Sequence, residues 1–332
     1  MIEILSASAL ATVQDLGRVG ALQWGVGTSG AMDPLALAAG NLLLGNDANA
    51  AAIEVPVFPF QVRFGADLAI ALTGADCAAR LDDVPLLPWW VVEARAGQVL
   101  SLGVPRAAGH WRASRAYLCV AGGVDVPAVL GSRSTQLRGA FGGHEGRALR
   151  QGDVLCAAAP GIGRCGSGFG LLPPALAMPL QLDGVPAMRV LPAAEYGHYT
   201  EASRAAFWAG EWKITAQSDR YGYRLAGAAL EAANPVEMRS HGIVPGVIQV
   251  PPGGQPIVQM RDAQPSGGYP KLGTVIEADL WRLGQAPIGS RVRFIEATWD
   301  DALDAREQMH AWLADARRLV ELHRRQRARS AS

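Results

Sequence analysis

Lysine is almost missing from this chain. Only Lys213 and Lys271 occur in 332 residues, and arginine carries the remaining positive charge. Basic and acidic residues balance at 30 each, so no long-range field is available to draw in nucleic acid or anionic lipid, and neither is expected as a partner. No apolar run approaches the roughly 18 residues that suggest a membrane span, and the N-terminal MIEILSASAL carries an acid and no basic region, unlike a signal peptide. The four cysteines, Cys77, Cys119, Cys156 and Cys165, show no C-x-x-C spacing. A reduced, cytoplasmic protein without a structural disulfide is expected, with Cys119 a buried thiol. The six histidines are scattered, so no metal site is expected. There is no G-x-x-x-x-G-K-[ST] phosphate loop and no G-x-S-x-G elbow.

What is present is globular: 49% hydrophobic and 18% charged residues over a length that suits two domains. Short apolar runs separated by Gly, Pro and Asp dominate. Met1–Leu5, Phe60–Phe64, Leu68–Leu72, Trp89–Val92, Val99–Leu102, Ala116–Val120 and Val154–Cys156 read as strands, and Met188–Leu191, Trp212–Thr215, Thr274–Ile276 and Arg291–Phe294 continue the pattern. Even spacing of this kind predicts a mainly β protein of barrels or sandwiches, not alternating βαβ units. Helices are few. Asp33-Pro34 starts one that stops at Gly45, Glu201–Trp208 forms a short one, and Thr298-Trp-Asp-Asp301 opens a capped helix reaching about Arg325. The expected organisation is a first β domain over residues 1–158, a Gly/Pro-rich connection over 159–186, a second β domain over 187–298, and a C-terminal helix and tail over 299–332. The connection holds Gly161-Ile-Gly-Arg-Cys-Gly166, a literal G-x-G-x-x-G, but Ser167-Gly-Phe-Gly and Pro173-Pro174 follow instead of the helix that a dinucleotide site needs.

The chemistry concentrates in His241–Lys271. Two strand-like runs, Val247–Val250 and Ile257–Met260, flank the turn Pro251-Pro252-Gly253-Gly254. Beyond them lies a polar, glycine-rich segment too hydrophilic for a core. It offers Asp262, Gln264, Ser266, Gly267, Gly268, Tyr269 and Lys271, with Gln249 in the strand before it. Adjacent glycines allow close backbone approach and can form an anion-binding nest. A second polar cluster, in the first half, offers Gln14, Asp15, Arg18, Ser29, Asp33 and Glu54. Asp33 also reads as a helix cap, and Arg18 and Asp15 as a mutual pair. These residue types suit a planar amide or ureido group: glutamines and backbone N–H groups meet its oxygen, and lysine or tyrosine stabilises developing charge. Lys271, Tyr269 and Asp262 are therefore the catalytic candidates. Gln249, Gln264, Ser266, Gly267, Gly268, Gln14, Arg18, Ser29 and Glu54 are the substrate-binding ones. The alternative for Lys271 is a solvent-facing lysine at a strand start.

Several of these stretches carry a resemblance. Thr12-Val-Gln-Asp-Leu-Gly-Arg18, Ser29-Gly-Ala-Met-Asp33, Gly122-Gly-Val-Asp-Val-Pro127, Leu130-Gly-Ser-Arg-Ser-Thr135, Gly142-Gly-His-Glu-Gly-Arg147, Ser218–Leu225, Pro245–Pro251, Gly254–Ile257, Asp262-Ala-Gln264 and Gly267-Gly-Tyr-Pro270 resemble the carboxyltransferase subdomain A and B family. That family includes KipA-like proteins, which form the C component of prokaryotic 5-oxoprolinase, and the carboxyltransferase part of urea carboxylase. The resemblance covers roughly residues 5–296. Where the family shows two threonines before Gly-Gly-Tyr-Pro, this chain has Pro265 and Ser266. The resemblance implies two cyclophilin-like β-barrel domains. It implies one component of an ATP-dependent 5-oxoprolinase that opens 5-oxo-L-proline to L-glutamate, working with a KipI-like B component and a third, A component. ATP would be shared with or supplied by those partners. One alternative is a biotin-dependent carboxyltransferase acting on a urea-like substrate; with no Met-Lys-Met sequence, this chain would carry no biotin itself. The other is a KipA-like regulatory protein that antagonises a kinase inhibitor.

Overall fold

The structure is a computed structural model that describes residues 1–107, 113–158, 168–234 and 238–330. The Gly161–Gly166 motif and Cys165 lie outside the described residues. The fold is mainly β, as the strand spacing predicts, and divides into two compact units interleaved along the sequence. One comprises Met1–Arg18, Ser29–Met178 and His310–Ser332; the other comprises Val19–Thr28 and Pro179–Met309.

In the first unit the strands form two sheets. A seven-stranded sheet is ordered Val124–Asp125, Val154–Ala157, Ile2–Ala7, Phe60–Phe64, Val99–Leu102, Arg80–Leu81, Val84–Pro85. A five-stranded sheet is ordered Thr12–Gln14, Ala52–Val55, Ala116–Val120, Leu68–Gly74, Trp90–Ala94. Alternation along Phe60–Phe64 buries Phe60, Val62 and Phe64 and turns Gln61 and Arg63 outward, as a sheet with one wet face requires. The helix Pro34–Leu44 is buried at every position after Pro34, which is why it reads as continuously apolar instead of amphipathic. Its ends follow the sequence signals. Asp33 Oδ1 accepts a hydrogen bond from Ala36 N at 2.9 Å, Pro34 occupies the first turn, and Gly45 closes the helix at φ 71°.

In the second unit seven strands close into a barrel. Their order is Val185–Pro192, Lys271–Val275, Val247–Gln249, Ile257–Gln259, Gly222–Ala226, Trp212–Ile214, Arg291–Glu296, and the last pairs parallel with the first through Ala187↔Arg293 to Val190↔Glu296. Closure leaves no unpaired edge in the ring. Val190, Trp212, Ile214, Tyr223, Ile248, Val258 and Phe294 are buried, and Phe207 of the helix Glu201–Ala209 stacks on Phe294 with centroids 4.9 Å apart.

The terminal helix runs Trp299–Ser330, beyond the predicted Arg325. Its start is the capping box the sequence suggests: Thr298 Oγ1 accepts from Asp301 N at 3.2 Å and Asp301 Oδ2 accepts from Thr298 N at 2.8 Å. In the barrel unit, Ala302, Ala305 and Met309 pack with Ile276 and Ala278. In the first unit, Trp312 and Val320 join the core, and Trp312 meets Trp89 edge-on at 6.2 Å. No helix among the described residues is long and apolar enough to cross a membrane.

Candidate functional site

The second polar cluster is built on the hairpin predicted from the sequence. Gly254, at φ 73°, turns the chain, and its N–H reaches Pro251 O at 2.9 Å. Ile248 pairs with Val258, and both face the barrel core with no exposure. Strand alternation then puts Gln249, Gln259 and Lys271 on the opposite face. Gln249 lies across from Lys271 in the ladder, beside a register shift. Gln249 Oε1 accepts from Gln259 Nε2 at 3.1 Å, and Gln249 Nε2 donates to Tyr269 O at 3.4 Å.

Over this face lies the glycine segment. His241–Gly242 pairs antiparallel with Ser266–Gly267. A Cβ on Gly267 would sit 2.5 Å from Gln249 Nε2, so any larger residue here would displace the Gln249 amide. Neither Gly267 nor Gly268 adopts positive φ, so the nest conformation considered from the sequence is not the one observed. Gln264, Ser266 and Tyr269 are exposed.

Lys271 is partly buried and held from two sides. Its Nζ is 3.0 Å from Glu195 Oε1 and in a short contact with His241 Nε2. The Nδ1 of His241 is 2.9 Å from Arg239 O. Glu195 Oε2 is buried without a hydrogen-bond partner among the described residues. Tyr199 donates to Pro270 O at 3.2 Å, and burial, with the Glu195 charge, pushes its phenol well above the ordinary value. Lys271 is therefore not the solvent-facing lysine of the alternative reading.

Asp262 differs from its expected role. Both its oxygens are engaged by Arg220, at 2.9 Å from Nε and 3.0 Å from Nη2, and both residues are buried. A carboxylate clamped this way supports the loop and is poorly placed for proton transfer.

The first cluster is a separate set of networks in the first unit. Asp15 Oδ1 accepts from Gly17 N at 2.8 Å, Ser132 Oγ at 2.6 Å and the Ser134 hydroxyl; Oδ2 accepts from Arg133 N at 2.6 Å. Arg18 donates to Val129 O at 3.1 Å and to Ser134 O, and lies over the Phe141 ring. Glu54 belongs to a polar row across the five-stranded sheet, Thr12–Glu54–Tyr117–Thr73, set by direct cross-strand pairing. Glu54 Oε2 accepts from Tyr117 Oη at 2.7 Å and Met32 N at 2.8 Å; Tyr117 Oη accepts from Asp33 N at 2.8 Å; Thr73 Oγ1 donates to Ala36 O at 2.7 Å. Burial and the Glu54 carboxylate hold the Tyr117 phenol well above its ordinary value. Glu54 thus docks the start of the helix Pro34–Leu44. Gln14 Nε2 donates to Thr12 Oγ1 at 2.9 Å. Gln14 Oε1 and Ser29 Oγ are buried without a hydrogen-bond partner among the described residues, and Ser29 sits at φ 52°.

Sequence reasoning missed Glu195, His241 and Arg220 as site residues. His241 heads the stretch singled out, and Arg220 lies in the Ser218–Leu225 motif, so both were within reach. Glu195 sits in Ala193-Ala-Glu-Tyr-Gly-His198, which carries no signal of its own.

A sequence profile described as carboxyltransferase domain, subdomain A and B, matches residues 24–296. This chain belongs to the carboxyltransferase subdomain A and B family. Within that family it is 42% identical over 318 residues to the C component of the Escherichia coli 5-oxoprolinase, covering 94% of this chain and 96% of that protein. It is 42% identical to the C component of the Haemophilus influenzae 5-oxoprolinase, covering 97% and 99%. The crystal structure of the K. lactis urea amidolyase superimposes with a TM-score of 0.85 at 27% identity, covering 95% of this chain and 20% of that one. This carboxyltransferase-family chain therefore spans about one fifth of the urea amidolyase.

Proposed function

We propose that this chain is the C component of a 5-oxoprolinase, which opens the lactam of 5-oxo-L-proline to L-glutamate together with a KipI-like B component and a third, A component. The observation that carries the reading is the 42% identity, covering at least 94% of this chain and at least 96% of each relative, to two proteins of that name. In the ring opening, the oxygen of water bonds to the lactam carbon and the carbon–nitrogen bond breaks. The electron pair goes to nitrogen, which takes a proton. Negative charge develops on the carbonyl oxygen on the way, and a fixed donor there lowers the barrier. Lys271 and Tyr269 are the assigned catalytic donors. Gln249, Gln264, Ser266, Gly267 and Gly268 shape the surface beside them, and Asp262 holds the loop through Arg220. Within the first unit, Gln14 and Ser29 have unmet buried polar atoms and are assigned to a ligand or ordered water, while Arg18 and Glu54 are engaged in that unit's own hydrogen bonds.

ATP supplies the driving force of this reaction. The sequence has no G-x-x-x-x-G-K-[ST] phosphate loop, and the N-terminus of the helix Pro34–Leu44 is capped by the Asp33 carboxylate, an anion where a phosphate would bind. The nucleotide site is accordingly assigned to the partner subunits, and the complex to the cytoplasm. Three of the cysteines, Cys77, Cys119 and Cys156, are free thiols, which suits that compartment.

A second reading, carboxyl transfer to a urea-like substrate with biotin on a partner, has in its favour the fold likeness to urea amidolyase and the carboxyltransferase domain match. Reconstitution with the partner subunits separates the two. Glutamate formation that needs 5-oxoproline, ATP and every component, and that avidin leaves untouched, is the expected result. Avidin-sensitive carboxylation of urea without glutamate formation overturns the proposal.

A further inference from the structure

We propose that Glu195 and His241 are positioning residues that hold the Lys271 ammonium so that one N–H remains for the amide oxygen of the substrate. The role in turnover rests on the lactam-opening reading; the clamp itself rests only on geometry within the barrel unit. Arg239 O can only accept a hydrogen bond, so the Nδ1 of His241 facing it at 2.9 Å carries the proton. In the neutral ring this leaves the lone pair on Nε2, the atom in short contact with Lys271 Nζ, and a donor-only ammonium needs an acceptor there. On the other side, Glu195 Oε1 lies 3.0 Å from the same Nζ. An ammonium has three N–H bonds. One is directed at a carboxylate and one at an imidazole, which leaves one without a partner among the described residues.

The backbone explains why the three meet. Lys271 opens its strand beside the Gln249 register shift, His241 is fixed by pairing with Gly267, and Tyr199 ties Pro270 to the segment that carries Glu195. A freely rotating lysine would lose side-chain entropy on meeting a transition state. This one has lost much of it on folding, which is the physical content of preorganisation.

The near-absence of lysine makes the proposal directly testable. Selective ε-15N-lysine labelling of the whole chain gives two side-chain signals, and Lys213, which is exposed, serves as the internal control. Lys213→Arg assigns them. The Lys271 ammonium protons are expected to exchange with water more slowly than those of Lys213. Glu195→Gln and His241→Ala are each expected to move the Lys271 signal and leave Lys213 in place. In the reconstituted complex, Lys271→Met is expected to lower kcat by about 10²-fold, as loss of one charge-stabilising donor typically does. His241→Ala is expected to lower kcat by roughly tenfold at nearly constant KM, the signature of an interaction used in the transition state. His241→Gln, whose amide oxygen can accept from Nζ where Nε2 did, is expected to recover most of that loss. Lys271 signals indifferent to both substitutions overturn the clamp. So does full turnover by His241→Ala, or equal damage from His241→Gln and His241→Ala in folded, assembled protein. If the wild-type complex does not open 5-oxoproline at all, the functional reading fails, and the clamp is decided by the ammonium signals alone.

Discussion

Arg220 and Asp262 show how much a single pair sets the shape of the site. Two buried, opposite charges meet in a bidentate geometry, and the backbone N–H of Asp262 also reaches Arg220 O at 2.9 Å. Removing one partner of such a pair is costly because the other charge stays desolvated. Asp262→Ala is expected to cost roughly 3–5 kcal/mol of stability, read from the urea midpoint of the isolated chain. A loss under about 1 kcal/mol, the scale of an exposed pair, contradicts the buried geometry. At this scale the sequence was legible where chemistry and position coincide: Lys271 and Gln249 stood out because a cation and an amide occur in a stretch of strands and glycines. It was illegible where a partner comes from a distant turn. Nothing about Glu195 in its own neighbourhood says that its carboxylate meets Lys271.

At the scale of elements, local signals predicted what they govern. Asp33, Pro34 and Gly45 delimit their helix as read, and the Thr298–Asp301 box opens the terminal one. The helix Leu280–Gln285 was missed because all six of its residues are buried, which leaves no polar face to give it a period. Glu54 reads as a ligand contact from sequence, whereas its strand places it in the row that docks a helix; only the pairing partners reveal that. A clasp beside the same sheets supplies a pH prediction. Arg147 donates to both oxygens of Asp153, at 2.7 Å and 2.9 Å, and ties the Gly142–Arg147 loop to the turn before the strand Val154–Ala157. Its hydrogen bonds are the main reason that the Asp153 carboxyl falls from 3.8 to about 2. A folded value below the unfolded one stabilises the protein above about pH 4, and the contribution fades as pH drops toward 2. Asp153→Asn is therefore expected to lower the melting temperature at neutral pH and to flatten its decline between about pH 4 and pH 2. An unchanged acid limb removes the clasp from the stability of this unit.

For the molecule as a whole, composition and strand spacing announced a mainly β protein. They did not announce the interleaving. Val19–Thr28 belongs with the barrel unit, although both its neighbours in sequence belong to the other, because long-range packing decides membership and leaves no local mark. The assignment of the nucleotide site to the partners gives a test at this scale. Titration calorimetry of the isolated chain with ATP and magnesium is expected to show no binding in the micromolar range, and a micromolar Kd would return the site to this chain. The way the barrel closes has a further consequence, for synthesis. Its first strand, Val185–Pro192, is completed by its last, Arg291–Glu296, so during translation the growing chain holds an open sheet with a bare edge until the end of that strand has left the ribosome. The stretch of terminal helix that completes the other core, Trp312 to Val320, emerges later still. Nascent chains stalled or cleaved short of these points expose strand edges and apolar surface together, the condition under which chains stick to one another. Chaperone dependence should therefore fall late in synthesis, after Glu296 and again after Val320, not in step with the amount of chain made.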